Sequence, residues 1–96
     1  MDRLRALEIF IKVAETGGFA AAARALSMSP PSVTRIVSGL EQHLGTALFV
    51  RTTRSVGLTE AGTRFLQDAT RIIAELAEAE DAAVGAHIIP RGELRI

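Results

Sequence analysis

The run from Ser29 to Arg35, Ser-Pro-Pro-Ser-Val-Thr-Arg, gathers the side chains of this 96-residue chain best suited to recognition chemistry. Arg35 can set a guanidinium fork on guanine O6 and N7 or clamp a phosphate, and the hydroxyls of Ser32 and Thr34 can donate to phosphate or touch a base edge. Serine and threonine in a helix's first turn also serve the backbone, so these two have a second use. For Arg35 the competing use is a surface ion pair, yet Glu41 stands six residues away and off its face. A second basic site, Arg51 and Arg54, is placed to reach phosphates or the minor groove beside whatever the first site reads. Nothing comparable points to catalysis. No nucleophile, base and orienting group fall into a recognisable arrangement, and there is no glycine-rich phosphate loop. Cysteine is absent, and His43 and His87 lie too far apart to build a metal cluster. The expectation is therefore not an enzyme, with no cofactor in this chain.

Three helices must position the first site. The first spans Leu4 to Glu15, with Leu4, Leu7, Ile11 and Ala14 on one stripe, Phe10 and Val13 extending it and Ile9 off it. Thr16, Gly17 and Gly18 end it. Phe19 plugs the core, and a second helix runs from about Ala20 to Leu26, four consecutive alanines allowing a close crossing. A break across Ser27, Met28 and Ser29 precedes the third helix. Because the residue before a proline is pushed away from helical geometry, Pro31 is expected at the first helical position and Pro30 to remain extended. Val33, Ile36, Val37, Leu40 and Leu44 recur at helical spacing up to Gly45, leaving Ser32, Thr34, Arg35 and Ser38 on the opposite face. Two helices broken by a turn, with small polar and basic residues opening the second, have the layout of a helix-turn-helix over residues 19–38.

Beyond Gly45, Leu48 to Arg51 and Val56 to Leu58 are β-compatible runs around a polar turn, which reads as a two-stranded wing. Thr59 and Glu60 open a long helix as cap and as acid at the positive dipole end. No breaker intervenes before Pro90, so this helix should reach about Ala86 and be roughly 40 Å long. Gly62, Phe65, Ala69, Ile72, Leu76, Ala79, Ala83 and Ala86 alternate in steps of three and four, an unbroken heptad seam widened by Leu66 and Ile73. Arg64 with Glu60 and Asp68, and Arg71 with Glu75, supply i,i+4 pairs on the outer face. The domain is too small to cover the whole stripe, so a two-chain coiled coil is expected, with Phe65, Ala69, Ile72, Leu76, Ala79 and Ala83 at the dimer contact. After a Pro-Arg-Gly breaker, Glu93 to Ile96 alternate like the first strand of a further domain.

Length and composition fit this plan. The chain holds one small domain, and 48% hydrophobic residues with four aromatics, all Phe, favour a helical core of Leu, Ile, Val and Ala. Net charge is zero, but residues 1–58 carry seven bases against four acids, and residues 59–96 four against seven. A basic working end joined to an acidic segment suits a polyanionic partner. No apolar run approaches a membrane span, and the N-terminus does not look like a signal peptide, so no membrane partner and a cytoplasmic location are expected.

With these pieces placed, the chain resembles the N-terminal DNA-binding region of the LysR-type transcriptional regulators. The carrying motifs are AAARAL at Ala21–Leu26, the Ser29–Arg35 run, LEQHLG at Leu40–Gly45, LFVR at Leu48–Arg51 and LTEAG at Leu58–Gly62. Together, in this order, they are specific; singly each is weak. The resemblance implies a mainly α protein: a winged helix-turn-helix of three helices and a two-stranded β wing over residues 1–58, then a dimerisation linker helix and hinge over 59–89. Residues 90–96 would begin an effector-binding domain that takes a small molecule. It further implies double-stranded DNA as partner, bound at an interrupted inverted repeat by a homodimer, or by a tetramer when the following domain is present. DNA-contacting positions fall on Ser29, Pro30, Pro31, Ser32, Thr34, Arg35 and Ser38 in the third helix, and on Arg51, Thr53 and Arg54 in the wing. Two departures stand out. Pro30 replaces the usual Gln, which removes an amide able to grip adenine and leaves thymine-methyl contact or DNA shape. Gly18 and Ala20 replace small hydroxyl residues, so the second helix should lose on the order of 1 kcal/mol of capping. A winged-helix regulator sensing its ligand within this domain, and a helical adaptor binding protein through the heptad helix, are the competing readings.

Overall fold

Polar caps and two left-handed glycines divide the chain into its helices. The computed structural model describes residues 2–52 and 55–88, with residues 86–88 described by their backbone alone. Helix α1 (Arg3–Thr16) opens on Asp2, whose side chain accepts the Arg5 N–H, and stops at Gly17, φ 79°. Helix α2 (Phe19–Leu26) begins at Gly18 without a side-chain cap and ends on Ser27, itself left-handed at φ 56°. Helix α3 (Pro30–Leu44) ends at Gly45, φ 74°. Strands β1 (Phe49–Arg51) and β2 (Val56–Leu58) pair antiparallel, Phe49 opposite Leu58, Val50 opposite Gly57 and Arg51 opposite Val56. Helix α4 (Glu60–Ile88) follows, 29 residues and so about 43 Å long. The result is the mainly α winged helix-turn-helix with a long following helix that the sequence implies.

One connected core sits where α1 crosses the other helices. Ala6, Ile9, Phe10 and Val13 of α1 meet Ala22 and Ala23 of α2, Val33, Val37 and Leu40 of α3, Leu48, Phe49, and Ala69 of α4. All four phenylalanines join in it: Phe10 lies 5.3 Å from Phe49 and 5.4 Å from Phe65, and Phe19 meets Phe49 edge-on at 5.7 Å. Ring pairs at these separations favour tilted geometries, and they tie α1, α2, α4 and the wing together.

Five expectations are corrected. Ile9 is fully buried whereas Leu4 is 44% exposed, because the core-facing stripe of α1 is Ala6, Ile9, Phe10 and Val13 rather than the one starting at Leu4. Leu44 is likewise exposed, since α3 overruns its own core contacts by a turn. Pro30 is helical, with the two prolines at the first and second helical positions and Ser29 as N-cap. Neither position's N–H has an intrahelical acceptor, so two prolines cost no hydrogen bond there. Finally, the proximal part of the heptad seam is used within the chain. Ala69 has no exposed surface left for a partner, and Phe65 packs on Phe10 while partly exposed. Gly62 is buried under the wing's entry, where a Cβ would collide with the Leu48 carbonyl oxygen. Leu66 also packs on this core. Among the outer pairs, Arg71 bonds Asp68 at 3.0 Å instead of Glu75, and no ion pair among the described residues involves Arg64.

What remains of the seam is distal. Ile72 and Leu76 are 40% and 37% exposed, Ala79 and Ala83 are exposed, and Val84 is 55% exposed. This half of α4 runs past its own domain, in a molecule 58 Å long but only 25 by 21 Å across. The strand expected at Glu93 to Ile96, and the breaker before it, lie outside the described residues.

Candidate nucleic-acid interface

The start of α3 is built to present side chains rather than backbone. Ser29 Oγ accepts the Ser32 N–H at 3.3 Å and lies 2.7 Å from Ser32 Oγ, while the Val33 N–H bonds the Ser29 carbonyl at 3.2 Å. With Pro30 and Pro31 lacking an N–H, the first four amide positions of α3 offer no free donor to an anion. Ser29 and Ser32 thus spend hydroxyl capacity on the cap. The first turn carries no acid, so the positive end of the helix dipole is unopposed there. Pro30 and Pro31 are exposed, Ser32, Thr34 and Ser38 half-buried, and Arg35 exposed one turn in. No ion pair among the described residues involves Arg35. An exposed guanidinium beside two exposed pyrrolidine rings can combine a bidentate contact with an apolar one.

Arg35 also borders a groove that sequence reasoning did not foresee. Asp2 and Arg5, at the start of α1, face Arg35, Ile36, Gly39, Gln42 and His43 of α3 across about 590 Å³. Arg5 leans on Met28, its Nη2 3.5 Å from the sulfur, and sits 3.8 Å from Glu8. Arg5 and the α3 residues it faces are 30 or more positions apart, so only the crossing of α1 with α3 brings them together. Arg24, exposed in the last turn of α2, lies outside this groove.

The wing gives a different picture from the sequence. Arg51 is turned back: its Nη2 donates to Glu41 Oε1 at 3.1 Å and its Cζ stands 4.6 Å from the centre of the Phe19 ring. Glu41 Oε2 accepts the Leu48 N–H at 2.7 Å and the Phe49 N–H at 3.2 Å. The partner of Glu41 is therefore Arg51, not Arg35. In the sequence Glu41 is one more acid on a helix; the signal that singles it out is its place between core Leu40 and the Gly45 stop, facing the incoming strand. Thr52 closes the near side of the turn, its N–H bonding the Ser55 carbonyl at 2.9 Å. Thr53 and Arg54, the remaining wing positions, lie outside the described residues.

Comparison with known proteins agrees with this geometry. Residues 4–63 match the family described as bacterial regulatory helix-turn-helix protein, lysR family. The chain is 44% identical over 90 residues to the HTH-type transcriptional regulator CrgA of Neisseria meningitidis serogroup C, covering 94% of this chain and 30% of that protein. It is 43% identical over 96 residues to the HTH-type transcriptional activator AaeR of Escherichia coli K12, covering all of this chain and 31% of that protein. The chain thus spans about a third of the length of these relatives, which are regulators rather than enzymes. Among solved structures, a CbnR DBD–DNA complex superposes with a TM-score of 0.85 at 42% identity, over 91% of this chain and 99% of that one. A BenM DBD complex with benA site 1 DNA superposes at 0.87 with 29% identity, over 93% and 99%.

Proposed function

The chain belongs to the LysR family of bacterial regulatory helix-turn-helix proteins, and from that premise we propose that it is the DNA-binding portion of a dimeric transcription regulator. In this reading α3 enters the major groove through Pro30, Pro31, Thr34 and Arg35, and the wing reaches flanking backbone or minor groove through Thr53 and Arg54. The observation that carries it is the first turn of α3: acid-free, with exposed prolines and an exposed, unpaired Arg35 among the described residues. The superposition on two structures solved with DNA supports DNA as the partner. Exposed Ile72, Leu76, Ala79 and Ala83 support pairing through distal α4, and a two-fold protein calls for an interrupted inverted repeat. A small-molecule effector belongs to a following domain, in keeping with relatives about three times as long. No helix among the described residues is long and apolar enough to cross a membrane, and a DNA partner is in keeping with a cytoplasmic location.

Gel shift on genomic fragments at two salt concentrations tests the reading. A DNA reader shifts fragments and weakens steeply as salt rises, because bound phosphates release counterions. A protein-binding adaptor using the α4 stripe produces no shift at either salt concentration.

A further inference from the structure

The side chain that ties the wing to the helix-turn-helix is a carboxylate with every oxygen engaged. Glu41 is 16% exposed and holds Leu48 and Phe49 by their amides with one oxygen and Arg51 with the other. Arg51 in turn covers the Phe19 ring, which packs edge-on against Phe49. The four residues close a loop through α2, α3 and β1. Its geometry fixes where β1 leaves the core, and through the pairing of Arg51 with Val56 it fixes β2 as well. For Arg51 to swing out to a phosphate, it would have to abandon Glu41, strip the face of Phe19 and leave a half-buried carboxylate oxygen without its cation. A guanidinium already stacked and ion-paired is better suited to holding than to reaching.

We infer that Glu41 and Arg51 form a clamp that sets the wing against α3, so that Arg51 acts on DNA binding as a positioning residue rather than as a DNA contact. This rests on the DNA-binding reading above. The clamp sets the two strands of the wing against α3. Two consequences separate it from a direct contact. Loss of Glu41 must weaken DNA binding although it removes a negative charge, whereas a phosphate-contacting Arg51 freed from Glu41 would bind as well or better. Lysine at position 51 must also fail, because an ammonium lacks the planar fork that bonds Glu41 while stacking on Phe19, yet it would retain a point-charge contact to phosphate.

The test uses the 96-residue chain and a duplex that the wild type selects from a random-sequence pool. Binding of Glu41→Gln, Arg51→Ala, Arg51→Lys and the Glu41→Gln/Arg51→Ala double variant is measured at a temperature where circular dichroism shows each folded. Should Arg51→Ala not fold, the Glu41→Gln and Arg51→Lys pair decides. The expected result is a loss of about tenfold for each single variant, with the double variant no worse than the weaker single, as for residues acting as one unit. Hydroxyl-radical footprints should lose protection at the flanks while keeping it over the major-groove segment, a change that mere loss of stability would not produce. Unchanged or tighter binding by Glu41→Gln, wild-type binding by Arg51→Lys, or additive losses in the double variant would overturn the clamp while leaving the DNA-binding reading intact. A wild type that enriches no duplex would overturn both.

Discussion

Arg35 is the side chain on which recognition is expected to turn. Exposed and without an ion pair among the described residues, it has no competing structural duty. Arg35→Ala should therefore leave thermal stability near wild type and cost roughly 1–3 kcal/mol of operator binding if the contact is to a base. Titration of a labelled operator measures this, and unchanged affinity would discard the assignment. Gly62 is the opposite case, a buried residue that must stay without a side chain. Gly62→Ala forces a methyl group into the Leu48 carbonyl, where backbone rather than a flexible side chain must yield. Overpacking of this kind should destabilise by about 1–3 kcal/mol, read as a lowered midpoint in urea with an unchanged slope.

The glycine stops of α1 and α3 and the cap of α4 were the most legible features, because their signals are local. Gly17, Gly45 and the Thr59 cap end or start helices where the sequence places them, Thr59 Oγ1 accepting the Gly62 N–H at 2.9 Å. The α2 cap needs a revised magnitude. Gly18 holds the extended geometry of an N-cap, φ −173° and ψ 159°, with nothing within 4 Å of an added Cβ. Glycine is itself a fair N-cap, so Gly18→Ser should gain only about 0.3–1 kcal/mol through a bond to the Ala20 or Ala21 N–H, visible as a small rise in Tm. Less legible was which face of a helix turns inward. In α1 both Leu4 and Ile9 are apolar, and only the positions of α2, α3 and α4 decide that Ile9 is buried. The same holds for Arg51: its type and place suit phosphate, but its destination is set by Glu41 and Phe19, ten and more residues away and on two other elements. Chemistry that depends on one residue and its dipole could be read from the sequence; chemistry that depends on crossing helices could not.

In the whole molecule, α4 divides its labour along its length. Gly62, Phe65, Leu66 and Ala69 complete the domain core, and Ile72, Leu76, Ala79 and Ala83 extend beyond it. The heptad repeat ran through both halves because a helix uses one periodicity whether it packs on its own chain or on another. Ile72→Glu with Leu76→Glu should leave the winged helix-turn-helix folded by circular dichroism. It should convert a sedimenting dimer to monomer and lower operator affinity by about a hundredfold or more, since the second half-site would no longer be held nearby. A wild type that sediments as monomer at all concentrations would remove α4 as the pairing surface. The decisive measurement is the selection of bound duplexes by this chain from a random-sequence pool. A dimer reading DNA through α3 predicts enrichment of an interrupted inverted repeat, with half-sites spaced by a whole number of helical turns and with flanks contributing through the wing. Enrichment of nothing, or of a single element without two-fold symmetry, would contradict it.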